Sequence, residues 1–181
     1  QKVVYEDHSV TVETVPLRHR VPCCGYIFRE KPTLPHIRRD MIDYYGISLS
    51  QINNIKNGAD WTTPEGDIVP NSRLVEPADA PRSYAYCSDT CYLPDLYERV
   101  KDVTVLYHES TYTSENEDRA KIYYHSTARQ AALVAQKAGA GRLLLGHYSA
   151  RYNNENVLLE EAKAVFPESY LSQEGMVFEV K

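Results

Sequence analysis

Short apolar runs alternate with amphipathic stretches along the second half of the chain, and this order predicts an α/β fold. Strand-forming runs lie at residues 83–87, 103–107 and 142–146. Stretches with helical spacing follow each run, at residues 94–101, 127–138 and 155–165. An alternating stretch from Met176 to Val180 predicts a final strand.

The first 28 residues predict β structure alone. The stretch from Val3 to Val15 alternates in the manner of two strands joined at Glu6-Asp7-His8. Pro16 ends this hairpin, and a further strand is predicted at Gly25–Phe28. Because the chain begins on Gln1 with a strand already under way, we expect additional residues upstream of it.

Residues 29–81 are rich in proline and polar residues. Helices are predicted at 37–45 and 48–57, and a turn at 62–67 between two short strands. This segment has few apolar residues, so we expect it to lack a core of its own and to project as an arm. The body would then consist of residues 1–28 and 82–181, and projecting segments of this kind often carry binding elements.

Metal-capable side chains directly follow four of the predicted strands. They are His19, Asp89, the pair His108 and Glu109, and His147. The carboxyl ends of strands are where open α/β sheets usually build their sites. Histidine and aspartate together are the ligands of zinc and similar metals, and an aspartate between histidines can bridge two ions. The alternatives are that Asp89 caps the helix starting near Leu93, and that His147 is a buried imidazole bonded to backbone.

His125 lies beside a predicted helix N-terminus. Thr127 and Gln130 fit a capping box, and the N–H groups exposed at such a helix start attract phosphate. An imidazole there can donate a proton to a leaving oxygen, and Glu109 is the candidate carboxylate to hold its tautomer. The alternative is a capping segment with an incidental histidine.

The composition indicates a globular protein. With 181 residues, 43% of them hydrophobic, the chain is long enough for one domain or one domain with an insertion. No apolar run reaches the ~18 residues that a membrane helix needs, and the N-terminus lacks the order of a signal peptide. We therefore expect a cytoplasmic protein. Its four cysteines form no spaced disulfide framework, and a zinc site at Cys87 and Cys91 is a weaker alternative because no Cys-x-x-Cys pair accompanies them.

The charge distribution leaves room for a polyanionic partner. The net charge of −5 argues against a surface that is positive throughout. Between Arg18 and Arg39, however, six basic residues face a single acid, Glu30. A phosphate-bearing partner would dock there, although a solvated loop with scattered charges explains the composition equally well.

Five segments resemble, in order, the motifs of the ribonuclease Z family, the tRNA 3′-processing endonucleases of the metallo-β-lactamase superfamily. They are Pro16-Leu17-Arg18-His19, Cys87-Ser88-Asp89-Thr90, His108-Glu109-Ser110-Thr111, His125-Ser126-Thr127 and Gly146-His147-Tyr148-Ser149-Ala150-Arg151-Tyr152. Five motifs in the family's order are far more specific than any one of them.

The resemblance implies a fold and a set of roles. The fold would be α/β (α+β): the C-terminal half of an αββα sandwich, with the arm at 29–81 as an exosite that grips tRNA. His19, Asp89 and His147 would bind two zinc ions, with Asp89 bridging them. His125 would protonate the departing 3′ oxygen of a tRNA precursor, and Glu109 would orient it. The residues near the acceptor-stem phosphates would be Ser126, Thr127, Ser149 and Arg151.

Two departures from the family pattern change this expectation. The arm carries Gly46-Ile47-Ser48-Leu49-Ser50-Gln51 where the family usually has a Gly/Pro-rich segment. The family's His-x-His-x-Asp-His motif is absent, so each metal would lack the roughly three protein ligands of a catalytic zinc. We therefore expect a C-terminal fragment that binds metal weakly and is inactive alone. Half of a sandwich leaves apolar sheet surface uncovered, which predicts a homodimer.

Two other functions remain open at this stage. The first is a different hydrolase of the same superfamily, such as a cyclic-nucleotide phosphodiesterase or a thioester hydrolase. The second is a tRNA-binding or scaffolding remnant that kept the fold and lost the first metal motif.

Overall fold

A computed structural model describes all 181 residues. The chain forms two compact units, a body made of Gln1–Glu30 and Arg82–Lys181, and an insert made of Lys31–Pro81. None of the helices combines the length and the apolar character that crossing a membrane requires.

The elements are numbered in chain order. The strands are β1 (Val3–Glu6), β2 (Val10–Pro16), β3 (Cys24–Glu30), β4 (His36–Ile37), β5 (Trp61–Thr62), β6 (Ile68–Val69), β7 (Val75–Glu76), β8 (Ser83–Cys87), β9 (Val105–Glu109), β10 (Arg142–Gly146) and β11 (Ser169–Leu171). The helices are α1 (Arg39–Tyr45), α2 (Leu49–Lys56), α3 (Asn71–Leu74), α4 (Leu96–Arg99), α5 (Glu117–Tyr123), α6 (Ala128–Ala138) and α7 (Asn156–Lys163). A single 3-10 turn, Ser114–Asn116, precedes α5.

The body is built on one seven-stranded sheet with the order β1-β2-β3-β8-β9-β10-β11. The strands β1, β2, β3 and β8 pair antiparallel, as the predicted hairpin requires. The strands β8, β9, β10 and β11 run parallel to one another. The segments that leave β8, β9 and β10 therefore emerge at one edge of the sheet, which confirms the α/β prediction for this half.

Helices cover one face of this sheet. Inward-facing residues of the strands, such as Ile27, Ala85 and Leu145, form a single buried cluster with side chains of α4, α6 and α7. Because side chains alternate along a strand, the neighbours of these residues point to the other face. That face is aromatic and open: Tyr26, Phe28 and Tyr86 are 39–41% exposed.

The C-terminal segment corrects one prediction. Met176 to Val180 does not pair as a strand. Its apolar side chains instead line a cavity of about 380 Å³ with Tyr84, Tyr107 and Leu144. The edge position beside β10 is taken by the unpredicted strand Ser169–Leu171. Alternation correctly marked an extended, half-buried segment, but it carries no information about a hydrogen-bonding partner.

The insert also differs from expectation, because it has a core of its own. Ile47, Ile55, Val69 and Leu74 are at most 5% exposed and pack together. The predicted helices and the turn at 62–67 are present, with Gly46 in the left-handed conformation that ends α1. The side-chain amide of Asn71 donates to the carbonyl of Ile55 in α2 at 2.6 Å and to that of Ala59 at 2.9 Å. The expectation of no core is wrong because four well-placed aliphatic residues suffice for 51 residues arranged in short elements.

Gly25 in β3 is expected to tolerate no side chain. A Cβ there would collide with the carbonyl oxygen of Tyr86 on the neighbouring strand, and Leu17 Cδ1 lies 3.3 Å away. We expect Gly25→Ala to lower the free energy of unfolding by about 1–3 kcal/mol, the usual cost of overpacking. Urea unfolding of this variant against Cys24→Ala, at the exposed position next to it, measures the effect. Equal midpoints for the two variants would contradict the close approach of β3 and β8.

Candidate active site

Four side chains with metal-binding atoms converge at the carboxyl edge of the parallel strands. Asp89 follows β8, Glu109 ends β9, and His147 follows β10. His125 arrives from the segment before α6. The candidate ligand atoms of these four residues all lie within 4.8 Å of one another. All four are predicted from the sequence, and the parallel pairing of β8, β9 and β10 brings Asp89, Glu109 and His147 together.

The backbone at this edge is strained in a way that re-aims two of these side chains. Asp89 has a φ of 54° and His147 a φ of 57°, both in the left-handed region that residues other than glycine rarely adopt. His147 Nε2 lies 3.0 Å from Asp89 Oδ1, and both side chains are about half exposed. The alternatives considered from the sequence are therefore wrong. The residue before α4 is Asp95, not Asp89, and His147 is not a buried imidazole.

Glu109 is the central acceptor of the site. Its side chain is fully buried, and its two oxygens accept four hydrogen bonds. The donors are Thr90 N at 2.7 Å, Thr111 Oγ1 at 2.7 Å, His125 Nδ1 at 2.9 Å and Ser126 N at 2.9 Å. Burial by itself raises the pKa of this carboxyl, but the hydrogen bonds outweigh it, so the pKa lies below the ordinary value. Glu109 is therefore an ionised carboxylate that joins three loops.

His125 takes its charge state from Glu109. The hydrogen bond to Glu109 raises the pKa of the imidazole, burial opposes this, and the charges of Glu109 and Asp89 add to the increase. The Nδ1–H donates to Glu109, which leaves Nε2 as the atom that can exchange a proton with a substrate. The predicted capping box behind it is confirmed: Thr127 Oγ1 accepts from Gln130 N, and Gln130 Oε1 accepts from Thr127 N.

His19 lies beside this group of four without being part of it. Its ring centroid is 5.0 Å from that of His125. Its Nδ1 donates to the carbonyl oxygen of Tyr124 at 3.0 Å, and Tyr124 itself has a φ of 61°. The Nε2 of His19 is therefore the nitrogen left to bind a ligand.

Thr111 is a site residue that sequence reasoning missed. Its hydroxyl donates to Glu109 and lies 3.0 Å from His147 Nδ1, so it links the carboxylate to the second imidazole. The Nδ1–H of His147 then points to Thr111, and Nε2 of the same ring is paired with Asp89 Oδ1 at 3.0 Å. Its position two residues after Glu109 in the His-Glu-Ser-Thr motif was the only signal in the sequence.

The four residues predicted to contact RNA differ in exposure. Ser126 and Thr127 are fully buried, and the Ser126 hydroxyl donates to the carbonyl of Thr90 at 2.8 Å. Ser149 is half-buried, and Arg151 is exposed. The Arg151 guanidinium lies 5.6 Å from the centre of the Tyr112 ring and donates to Asn116 at 3.2 Å. The hydroxyls of Ser126 and Thr127 thus serve the fold, and of the four residues only Arg151 is exposed.

His108 is the candidate of the strand-end series that the fold buries away from the site. It belongs to β9, is fully buried, and donates from Nδ1 to the carbonyl of Glu109 at 2.7 Å. Burial lowers the pKa of this imidazole, so it is neutral. The strand extends two residues further than the apolar run predicted, which draws His108 into the core.

The ligand atoms at this site are of the types that bind divalent metal ions. His147 and His19 both use Nδ1 for a protein hydrogen bond, which leaves Nε2 as the nitrogen for a metal, as is usual for a metal-bound histidine. The Nε2 of His147 is paired with Asp89 in this structure. Asp89 supplies the oxygen that lies closest to His147 Nε2. The number of ligands is small, because His19, His147 and Asp89 are the only residues here whose ligand atoms are not already committed to Glu109. No cysteine belongs to the group.

His125 is expected to titrate above the ordinary imidazole value. With its pKa raised by Glu109, the protonated form persists to higher pH than in an exposed histidine, whose pKa is about 6.5. In Glu109→Gln the carboxylate that raises the His125 pKa is gone, while the burial that lowers it remains. We therefore expect the His125 titration midpoint to fall towards or below that of an exposed histidine. NMR titration of the His125 imidazole signals in the wild type and in Glu109→Gln measures the change. Equal His125 midpoints in the two proteins would contradict the ion pair.

Comparison with known proteins gives a consistent result. A ribonuclease Z of Bacteroides fragilis is 51% identical over 174 residues, which is 96% of this chain and 57% of that protein. The chain therefore spans a little over half the length of the curated relatives it matches. No family model matches the sequence.

Two solved structures share the fold. A metallo-β-lactamase fold protein of Bacillus subtilis aligns with 97% of this chain and 52% of its own, at a TM-score of 0.61 and 18% identity. The short form of human tRNase Z aligns with 99% of this chain and 46% of its own, at a TM-score of 0.55 and 20% identity. The body thus has the fold of the C-terminal half of a metallo-β-lactamase protein.

Proposed function

We propose, from the premise that this chain is a homologue of ribonuclease Z over nearly its whole length, that it is the C-terminal part of an endoribonuclease that removes the 3′ trailer from tRNA precursors. The observation that carries the proposal is the convergence of Asp89, Glu109, His125 and His147 within 4.8 Å. These are the residues that the resemblance to the family singles out.

The chain's own groups fit defined roles in phosphodiester hydrolysis. His125 is the general acid, because its Nε2 is free and the carboxylate of Glu109 raises the pKa of the ring. It donates its proton to the 3′ oxygen as the bond from that oxygen to phosphorus breaks. Glu109 fixes the ring orientation through the Nδ1–H bond and is itself fixed by Thr90, Thr111 and Ser126.

Two zinc ions are proposed as the resident metals, held in part by His19, Asp89 and His147. When bound, such ions lower the pKa of a water molecule and neutralise the charge that develops on the phosphoryl group. Because the chain supplies fewer than about three ligands per ion, we propose that upstream residues complete both sets. Alone, the chain would then bind metal weakly.

The proposal is tested by comparing this chain with the same chain carrying the upstream region of its gene. We expect the longer protein, loaded with zinc, to cleave a 3′-extended tRNA precursor after the discriminator nucleotide and to lose this activity on chelation. The 181-residue chain is expected to show no cleavage above background. Zinc-dependent cleavage by the short chain would overturn the fragment proposal, and tRNA binding without cleavage by the longer one would favour a scaffolding remnant. Faster turnover of a small phosphodiester than of the precursor would favour another hydrolase.

The remaining roles concern binding and assembly. We propose that Arg151 and Ser149, with the backbone at Ser126 and Thr127, lie near acceptor-stem phosphates, and that the insert at 31–81 acts as the tRNA-gripping arm. We also propose that the 181-residue chain alone forms a homodimer, for which the exposed aromatic face around Tyr26, Phe28 and Tyr86 provides apolar surface. A cytoplasmic location follows from the proposed substrate and stays a prediction.

A further inference from the structure

A cavity of about 380 Å³ opens beside His125, on the side of the site formed by α5 and the loops before β3 and α4. Its volume lies within the ~300–1,000 Å³ range of small-molecule sites. The lining residues that bear on its chemistry are Arg18, Tyr92, Lys121, Tyr124, His125 and Glu117. The roles proposed above leave all of them except His125 without a function.

The cavity offers two unpaired cations against one acid. Arg18 and Lys121 are exposed, and neither lies within ion-pair distance of a carboxylate. Arg18 is nevertheless fixed at its backbone, where its N–H donates to Thr90 Oγ1 at 3.2 Å and its carbonyl accepts from Cys91 N at 2.8 Å. Two positive side chains at one cavity, one of them on a fixed backbone, favour a phosphate over a neutral ligand.

The cavity also offers aromatic rings. The Arg18 guanidinium lies 5.9 Å from the centre of the Tyr124 ring, and Tyr92 is half-buried in the same wall. Tyr124 is held by its left-handed backbone and by the bond from His19 Nδ1 to its carbonyl. Aromatic side chains next to guanidinium groups are the usual platform for an unstacked base of single-stranded RNA.

The reaction geometry indicates which nucleotide would enter. In an in-line displacement the attacking and leaving oxygens lie on opposite sides of phosphorus. A general acid must lie within hydrogen-bond reach of the leaving oxygen. The ribose that carries the 3′ oxygen therefore lies on the His125 side, where this cavity opens.

We propose that the cavity binds the nucleotide immediately 5′ of the scissile phosphate, with its base against Tyr124 and its own 5′ phosphate between Arg18 and Lys121. This inference rests on the proposed function and extends it to a subsite. It gives the enzyme a contact with the RNA that does not depend on the trailer. Cleavage would then be sensitive to the presence of a base at this one position.

The test uses the zinc-loaded full-length protein and precursors that are abasic at a single position. In the wild type we expect the abasic nucleotide 5′ of the cleavage site to lower kcat/KM about tenfold or more, as loss of a stacked base does. In Tyr124→Leu the ratio between the two substrates should shrink to within about twofold. Tyr123→Leu is the matched control, because Tyr123 is its exposed neighbour and does not line the cavity. An abasic nucleotide on the trailer side should affect all three proteins equally.

Binding of the base can also be measured without turnover, by fluorescence. A 2-aminopurine placed at the 5′ position, next to a non-cleavable linkage, should be quenched on binding to the wild type and to Tyr123→Leu but not to Tyr124→Leu. In Lys121→Ala the slope of log Kd against log salt concentration should be smaller by about one. Arg119→Ala, outside the cavity, should leave this slope unchanged.

The two possible failures are distinguishable. Precursor cleavage with the same abasic penalty in wild type and Tyr124→Leu, and with unchanged quenching, overturns the subsite and leaves the proposed function standing. Absence of cleavage by the zinc-loaded full-length protein overturns the proposed function and the subsite with it.

Discussion

His125→Ala in the full-length protein is expected to slow precursor cleavage by about 10²–10⁴-fold, the usual contribution of a positioned general acid. The structure gives the reason: Nδ1 is committed to Glu109 and Nε2 is the only nitrogen left for the substrate. The loss should appear in kcat, with precursor binding little changed. His8→Ala, at an exposed position in the hairpin turn, is the matched control and should retain wild-type rates.

A modified leaving group distinguishes proton donation from a structural role. If the 3′ bridging oxygen of the precursor is replaced by sulfur, the departing thiolate needs little protonation. The deficit of His125→Ala should then fall to within about tenfold, because the step that the imidazole assists no longer limits the rate. An equally large deficit on both substrates would mean that the variant has lost the geometry of the site instead.

Glu109→Ala is expected to lower the free energy of unfolding of the chain by about 3–5 kcal/mol, the cost of breaking a buried ionic cluster by removing one partner. The variant leaves three donors without an acceptor, namely the backbone N–H groups of Thr90 and Ser126 and the Nδ1–H of His125. Urea unfolding measures the change, with Glu160→Ala on the exposed side of α7 as the control. A midpoint equal to that of Glu160→Ala would contradict the central position of Glu109.

The same residue gives the chain a defined pH dependence. Since the pKa of Glu109 is lower in the folded chain than in the unfolded one, its contribution to stability is present above the ordinary carboxyl pKa. It is lost as the pH falls through the lower folded-state value. His125 has the opposite sign, because its pKa is raised, and its contribution is lost as the pH rises through the folded-state value. Glu109→Ala should therefore flatten the stability profile at both ends.

The sequence predicted most of the body because its strands have strong local patterns. The bounds of β8 and β10 match the apolar runs, and the capping box of α6 was read from Thr127 and Gln130. The convergence of Asp89, Glu109 and His147 followed from one physical rule, that parallel strands end at the same edge. No long-range information was needed for these features.

The errors have a common cause, which is that pairing partners and burial are tertiary properties. Met176–Val180 alternates as a strand does, yet its neighbours are side chains of the aromatic face. The insert looked too polar for a core because single aliphatic residues are weak signals until the fold brings them together. Helix α5 was missed because the stretch is mostly charged, and the Glu109 hydrogen bonds to Thr90 and Ser126 span loops far apart in sequence.

The left-handed backbone at Asp89, Tyr124 and His147 lowers the stability of the fold at this site. Each such conformation costs a residue with a Cβ roughly 1–2 kcal/mol that glycine would not incur. Replacing Asp89 or His147 by glycine would therefore relax the backbone while it removed the chemistry. In a selection for thermal resistance alone, glycine would be favoured at these positions although it removes the side chains of the candidate site.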